Sequence, residues 1–230
     1  MTLVQKAVKG IFWTYLIYIV QRLLNLVVTM VLARILVPEQ FGLVAYALLI
    51  LSFIDSIKGF GINDALVYTK TDIEESAESA FVINVSIGFL QYAITFLLAP
   101  LAVHLIDDPQ IVPVLRVIAL NFIFDGLGKT HNAMLQKDLL FRQSSVPEIV
   151  ANIIKGIVSV VLAYLGYGVW SIVYGQVIGT LARSAAKWIA LGWIPKFKFY
   201  KKAAKALWQY GMHVLAFMVL SIALDQADQL

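Results

Sequence analysis

The chain has 230 residues, of which 60% are hydrophobic and 14% charged, with a mean hydropathy of +0.83 and a net charge of +4. Soluble domains carry about a quarter charged residues, so this composition excludes an ordinary water-soluble globule and implies an integral membrane protein. Zero cysteines exclude disulfides, thiolate metal sites and cysteine nucleophiles, and the basic residues lie in short loops with no aromatic-interleaved groove, which argues against nucleic acid as a partner.

A helix needs about 20 apolar residues to cross a hydrocarbon core of roughly 30 Å, so the expected fold class is all-α, a polytopic membrane helix bundle. In chain order, apolar runs cover residues 10–32, 42–60, 80–106, 112–135, 146–165 and 170–191. Lys6 and Lys9 precede the first run as in a signal peptide, but the run is too long and no small-residue cleavage site follows, so it reads as an uncleaved helix. The interruptions are the turn around Pro38, an acidic loop with Asp72, Glu74, Glu75 and Glu78, the breaker Asp107, Asp108 and Pro109, and the tight Gly166, Tyr167, Gly168. After Pro195, residues 196–210 interleave Lys198, Lys201, Lys202 and Lys205 with Phe197, Phe199 and Leu207, the pattern of a helix in the headgroup plane in contact with membrane lipids. Residues 211–230 read as the start of a seventh membrane helix. The expected domains are therefore a six-helix lobe over 1–195, a basic interfacial linker over 196–210 and a truncated seventh helix over 211–230.

Positive charge orients the bundle. With the N-terminus cytoplasmic, the inner side carries Lys6, Lys9, Lys70, Lys137, Arg142, Lys196, Lys198, Lys201, Lys202 and Lys205, and the outer side only Arg34 and Arg116. Tyr164, Tyr167 and Trp170 would mark one interface, and Trp188, Trp193, Trp208 and Tyr210 the other.

A charge at bilayer depth is expensive unless it faces protein or water, so polar residues inside the apolar runs are the candidate site. Arg22 lies roughly 18 Å into the first helix at 1.5 Å per residue, and Asn25 at i,i+3 shares its face. Arg22 is read as a substrate-facing cation, with a structural clasp between helices as the alternative. Asp55 pairs naturally with Lys58, and Asp125 lies on a stripe with Asn121 and Lys129, where an ion or proton site competes with a local acid–base pair. Lys155 is either a second cavity cation or the partner of Asp125 or Glu148. Gly175 and Gly179 form a GxxxG that implies close helix packing. His104, His131 and His213 are scattered, so no metal site is expected. No P-loop, GxSxG, HExxH or dinucleotide turn is present, so neither catalytic residues nor a cofactor are expected, and the chain is not read as an enzyme.

Four ordered motifs carry a family resemblance. They are Ala33, Arg34, Leu36, Pro38, Phe41 and Gly42 as ARxLxPxxFG; the segment from Gly59 to Leu66; the loop from Asn132 to Arg142; and the turn from Gly166 to Trp170. Together they closely resemble the Wzx-type polysaccharide flippases of the multidrug/oligosaccharidyl-lipid/polysaccharide superfamily, in the subfamily of colanic and teichuronic acid exporters. The resemblance implies a two-lobe bundle around a central cavity, of which this chain is the N-terminal lobe and a C-terminal lobe is the missing partner. It implies movement of undecaprenyl-diphosphate-linked oligosaccharide across the cytoplasmic membrane by alternating access, with Arg22, Asn25 and Lys155 at the anionic substrate. Asp55, Asp125 and Asp228 are the ion-coupling candidates, Asp228 standing where the family carries an acidic residue in its seventh helix. Two other readings stay open: a MATE-like small-molecule exporter, and a lone lobe acting as a membrane scaffold beside polysaccharide polymerase and assembly proteins.

Overall fold

The computed structural model describes residues 3–56, 61–69, 72–138 and 140–212, with backbone alone for 3–16, 105, 141 and 142. The expected seventh helix with Asp228, and Lys58 beside Asp55, lie outside the described residues.

Among the described residues all regular secondary structure is helical, with no strand. The order is α1 (Leu3–Leu32), α2 (Pro38–Ser56), α3 (Ile62–Tyr68), α4 (Ile73–Leu98), a 3₁₀ turn (Ala99–Ala102), α5 (Val103–Ile106), α6 (Ile111–Ile118), α7 (Leu120–Lys137), α8 (Phe141–Tyr164) and α9 (Val169–Leu191). Four spans are long and apolar enough to cross a membrane: Pro38–Ser56, Ile73–Ala102, Ile111–Lys137 and Gln143–Tyr164, joined by the shorter apolar stretch Ile17–Leu32. The multi-pass helix bundle expected from composition is therefore present. α9 falls short of the same apolarity because Gln176, Arg183 and Lys187 interrupt it.

Local chemistry sets the ends. Pro38 opens α2, where a missing N–H costs nothing and φ is already helical. Asp107, in the left-handed region at φ 54°, ends α5, and the Asp108 carboxylate accepts the Gln110 N–H at 2.8 Å to turn the chain into α6. Gly192 closes α9 at φ 67°, a conformation that favours glycine. The expected acidic loop is different: Glu74, Glu75 and Glu78 belong to the first turns of α4, where carboxylates complement the positive end of the helix.

Packing relies on removed side chains. Added Cβ atoms would stand 2.4 Å from the Phe122 carbonyl oxygen at Gly88 and 2.8 Å from that of Asn84 at Gly126, so α4 and α7 meet backbone to backbone. Gly175 and Gly179 do the same for α9, which lies against Ser159, Lys155 and Ala151 of α8. α1 packs on α8, running parallel to it: Val28 stands over Gly156, and further along Leu32 clusters with Ala163.

Two apolar cores result. One joins Leu43, Val44, Ala47 and Leu51 of α2 to Ile111, Val114, Leu115 and Ile118 of α6, Phe122 of α7 and Val169 and Val173 of α9. The other joins Ile62, Ala65 and Leu66 of α3 to Ala77 and Ala80 of α4, Ala133 of α7 and Leu207. Along α4, α7 and α9 these cores are separated by a polar layer. That layer holds Asn84, Gln91, Asp125, Lys129, Thr130, Gln176, Thr180 and Arg183.

The segment after α9 has no regular secondary structure over 193–200, with Phe197 in the left-handed region at φ 55°, and helix is seen over 201–212. The segment is fastened by the buried Glu78, whose carboxylate accepts the Lys196 N–H at 2.8 and 2.9 Å and the Lys198 N–H at 3.4 Å. Ser79 adds a reciprocal pair with the Tyr200 backbone. Held in this way, residues 196–200 stay outside the helix, and the helix expected from Lys196 begins at 201. Its buried side, Ala203, Ala204 and Leu207, packs on protein, while Lys201, Lys202 and Lys205 face outward. Trp208 and Tyr210 are exposed, whereas Trp188 and Trp193, expected at the interface, gather around Phe81 and His131.

Candidate functional site

Arg183 organises the polar layer. It stands 14 residues into α9, one turn before Lys187, with Thr180 one turn behind. One guanidinium nitrogen donates to Asp125 Oδ1 of α7 at 3.1 Å and the other to Glu148 Oε2 of α8 at 3.3 Å. The second Glu148 oxygen accepts from Lys187 Nζ at 2.9 Å. The planar guanidinium fork directs its two terminal nitrogens to two different carboxylates, so three helices are tied through a single side chain. All four groups stay partly accessible, as a cavity wall requires.

Three cavities open around this knot. The first, about 110 Å³, is lined by Asn63, Asp125, Lys129, Asn132 and Lys187. A second, about 140 Å³, is lined by Ser52, Asp55, Asn121, Asp125, Gln176 and Arg183. The third, about 50 Å³, is lined by Glu148, Asn152, Lys155, Gln176, Thr180 and Arg183. Asp125 and Arg183 each border two of them. Lys129, Lys155, Arg183 and Lys187 thus face Asp55, Asp125 and Glu148, four cations against three carboxylates. Such a wall holds a surplus of positive charge for an anionic group without a metal, and no metal-ligating cluster exists among the described residues.

The sequence candidates divide between wall and surface. Asp55, Asp125 and Lys155 come together at the cavities. Asp125 takes Arg183 as its ion-pair partner, where Lys129 was expected, because Arg183 reaches it across the α7–α9 contact. Lys155 lines the third cavity and takes no ion-pair partner among the described residues, since Arg183 and Lys187 occupy Glu148. Arg22 and Asn25 share an exposed face of α1 and border none of these cavities. The parallel register of α1 on α8 puts them near the depth of Ala151 and Asn152. Arg183 and Lys187 were missed. Their signal is the one that marks Arg22, charge inside an apolar run, here at i,i+4 and next to the GxxxG that drew attention instead.

Other polar groups are structural. Lys137 donates its ammonium to the carbonyls of Leu66, Val67 and Thr69, closing the C-terminal end of α3. Arg116 lies over the Phe96 ring at 4.3 Å, a cation–π contact. Asn84 bridges Asn63 at 2.9 Å and Thr130 at 3.0 Å.

Residues 31–230 match the family of polysaccharide biosynthesis proteins. The chain belongs to that family. It is 29% identical to the succinoglycan biosynthesis transport protein ExoT of Rhizobium meliloti (strain 1021) over 191 residues, which are 82% of this chain and 39% of that protein. It is 27% identical to the lipopolysaccharide biosynthesis protein WzxC of Escherichia coli (strain K12), over 87% of this chain and 40% of that protein. Against the teichuronic acid biosynthesis protein TuaB of Bacillus subtilis (strain 168) the identity is 21%, over 71% of this chain and 34% of that protein. The chain thus spans about two fifths or less of the length of these curated relatives. No solved structure matches it. The family resemblance drawn from the four motifs agrees with these findings.

Proposed function

We propose that this chain is the N-terminal lobe of a flippase that carries undecaprenyl-diphosphate-linked oligosaccharide across the cytoplasmic membrane for polysaccharide synthesis, without enzymatic chemistry. The observation that carries this reading is the cation surplus at two partly accessible cavities of the helix bundle, Lys129 and Lys187 against Asp125 in the first and Lys155 and Arg183 against Glu148 in the third. A sugar diphosphate cannot cross hydrocarbon unaided, and a polar cavity inside an apolar shell lowers that barrier. Lys155 and Arg183 supply positive charge to the diphosphate, and Arg22 with Asn25 extends the same depth on α1. Asp55, Asp125 and Asp228 are the groups assigned to ion coupling; Asp125 would act by exchanging Arg183 for a cation or proton. Relatives more than twice as long support a second lobe closing the cavity. The positive-charge count supports a cytoplasmic N-terminus, with the basic segment 196–210 on the cytoplasmic side joining the lobe over 1–195 to the helix over 211–230.

The test replaces Lys155 and Arg183 in the full-length protein and follows export in a strain lacking its own flippase. Lys155→Ala should lower surface polymer at least ten-fold and accumulate lipid-linked repeat units facing the cytoplasm, with membrane levels of the protein unchanged. Normal export by both Lys155→Ala and Arg183→Gln would defeat the reading. A MATE-like exporter of cations would be expected to carry a surplus of carboxylates at this wall, and the balance here is the reverse.

A further inference from the structure

An apolar groove of about 340 Å³ runs between α1 and α8. Leu24, Val28 and Val31 form one wall, and Ile153, Ile157 and Val160 the other. Gly156 opens the floor: a Cβ there would stand 2.6 Å from Val28 Cγ2, so any larger residue would push α1 off α8 or fill the space. Ile153 and Ile157 remain exposed although both face this groove.

One polar side chain belongs to the lining, and it has a second address. Asn152 borders the apolar groove and also the charged cavity of Glu148, Lys155, Gln176 and Arg183. The helical period explains why. Residues 148, 151, 152 and 155 of α8 turn toward α9, while 153, 156, 157 and 160 turn toward α1, and position 152 lies on the boundary. Two environments of opposite character therefore meet edge to edge at one residue.

We propose that the α1–α8 groove seats the polyprenyl chain of a lipid-linked diphosphate while its anionic head lies against Lys155 and Arg183. The proposal rests on the transport reading and adds a site to it. Depth selects the occupant. Asn152 lies roughly 13 Å along α8 from Gln143 at 1.5 Å per residue, and a bulk phospholipid keeps its head at the bilayer surface. Only an amphiphile whose head has left the interface satisfies the groove and the cations together. The groove follows α1 and α8 toward Val31 and Val161, so the chain stays in apolar surroundings while the head stays at the cavity.

The test uses the full-length protein in phosphatidylcholine nanodiscs, with a photo-crosslinking phenylalanine analogue at Ile153, at Ile157 or, as reference, at Phe53, an exposed apolar position of α2 outside the groove. The probe is radiolabelled undecaprenyl diphosphate; inorganic diphosphate binding is measured separately. Labelling at Ile153 and Ile157 should exceed that at Phe53 at least five-fold and fall to the Phe53 level on adding Arg183→Gln and Lys155→Gln. Ile153→Trp, which fills the groove, should cut labelling at Ile157 five-fold and leave inorganic diphosphate binding unchanged. Equal labelling at all three positions, or displacement by phosphatidylglycerol as readily as by unlabelled probe, identifies ordinary bilayer lipid and overturns the proposal. Diphosphate binding without groove labelling overturns the groove alone and leaves the transport reading standing. No binding of either diphosphate defeats both.

Discussion

Arg183 holds Asp125 at 3.1 Å across the contact between α7 and α9 while its other nitrogen holds Glu148 of α8. Removing the cation strands two carboxylates inside a membrane bundle, and a part-buried charge without its partner is costly. Arg183→Ala is expected to lower stability by about 1–3 kcal/mol, below the fully buried range because each side chain keeps about a third of its exposure. Adding Asp125→Ala should recover part of that loss. A thermal-unfolding cycle in detergent that finds the two changes additive would show that the pair is not coupled.

The linker clasp makes a sharper prediction, because it uses the backbone of Lys196 and not its side chain. Lys196→Ala should leave residues 193–200 in place, whereas Lys196→Pro and Glu78→Ala should both release them. Protease cleavage within that segment would rise at least ten-fold in the last two variants only. The Lys196 ammonium is itself held above the ordinary lysine range by the Glu74 carboxylate that accepts its hydrogen bond. A raised value means that the pair is complete below the usual lysine titration near about 10.4 and fades above it, so cleavage of the wild type should not change between pH 6 and pH 9.

Glycines separate into two kinds. Gly88 has no room for a methyl group, since the obstacle is the Phe122 carbonyl, and Gly88→Ala should destabilise the bundle by about 1–3 kcal/mol. Gly42 in α2 has nothing within 4 Å of the added carbon, so Gly42→Ala should stabilise by up to about 1 kcal/mol through helix propensity. Melting temperatures that move in the same direction for both would contradict the packing described for α4 and α7.

Lys137 supplies three backbone carbonyls at the end of α3. Lys137→Met keeps the stem and removes the donors, and should raise amide hydrogen exchange across Ile62–Tyr68 while the exchange of α9 stays unchanged. Protection of α3 equal to that of the wild type would show that the cap is dispensable.

Element identity was legible because apolar run length alone reports a membrane helix, and the runs at 10–32, 112–135 and 170–191 lie within observed helices. Ends were less so. Glu74, Glu75 and Glu78 look like a loop by polarity, yet acidic residues are what a helix start accommodates. The site was half legible: Asp125 and Lys155 stand out as charges in apolar runs, but which carboxylate meets which cation depends on inter-helix register. Arg183 reaches residues 35 and 58 positions away, a distance in sequence that no local spacing encodes. Glu78 was hidden for a related reason, since its partners are amides 118 and 120 residues later, and amides carry no sequence signal.

The Glu78 clasp also changes what the basic helix of residues 201–212 can be mechanically. A tether of eight residues would let that helix drift independently of the bundle, but the carboxylate at the start of α4, reinforced by Ser79, fastens the tether. The lysines are then carried on a stiff lever whose fulcrum is α4. Any tilt of α4 against α7, a contact made close by Gly88 and Gly126, would carry Lys201, Lys202 and Lys205 with it and not be absorbed as slack.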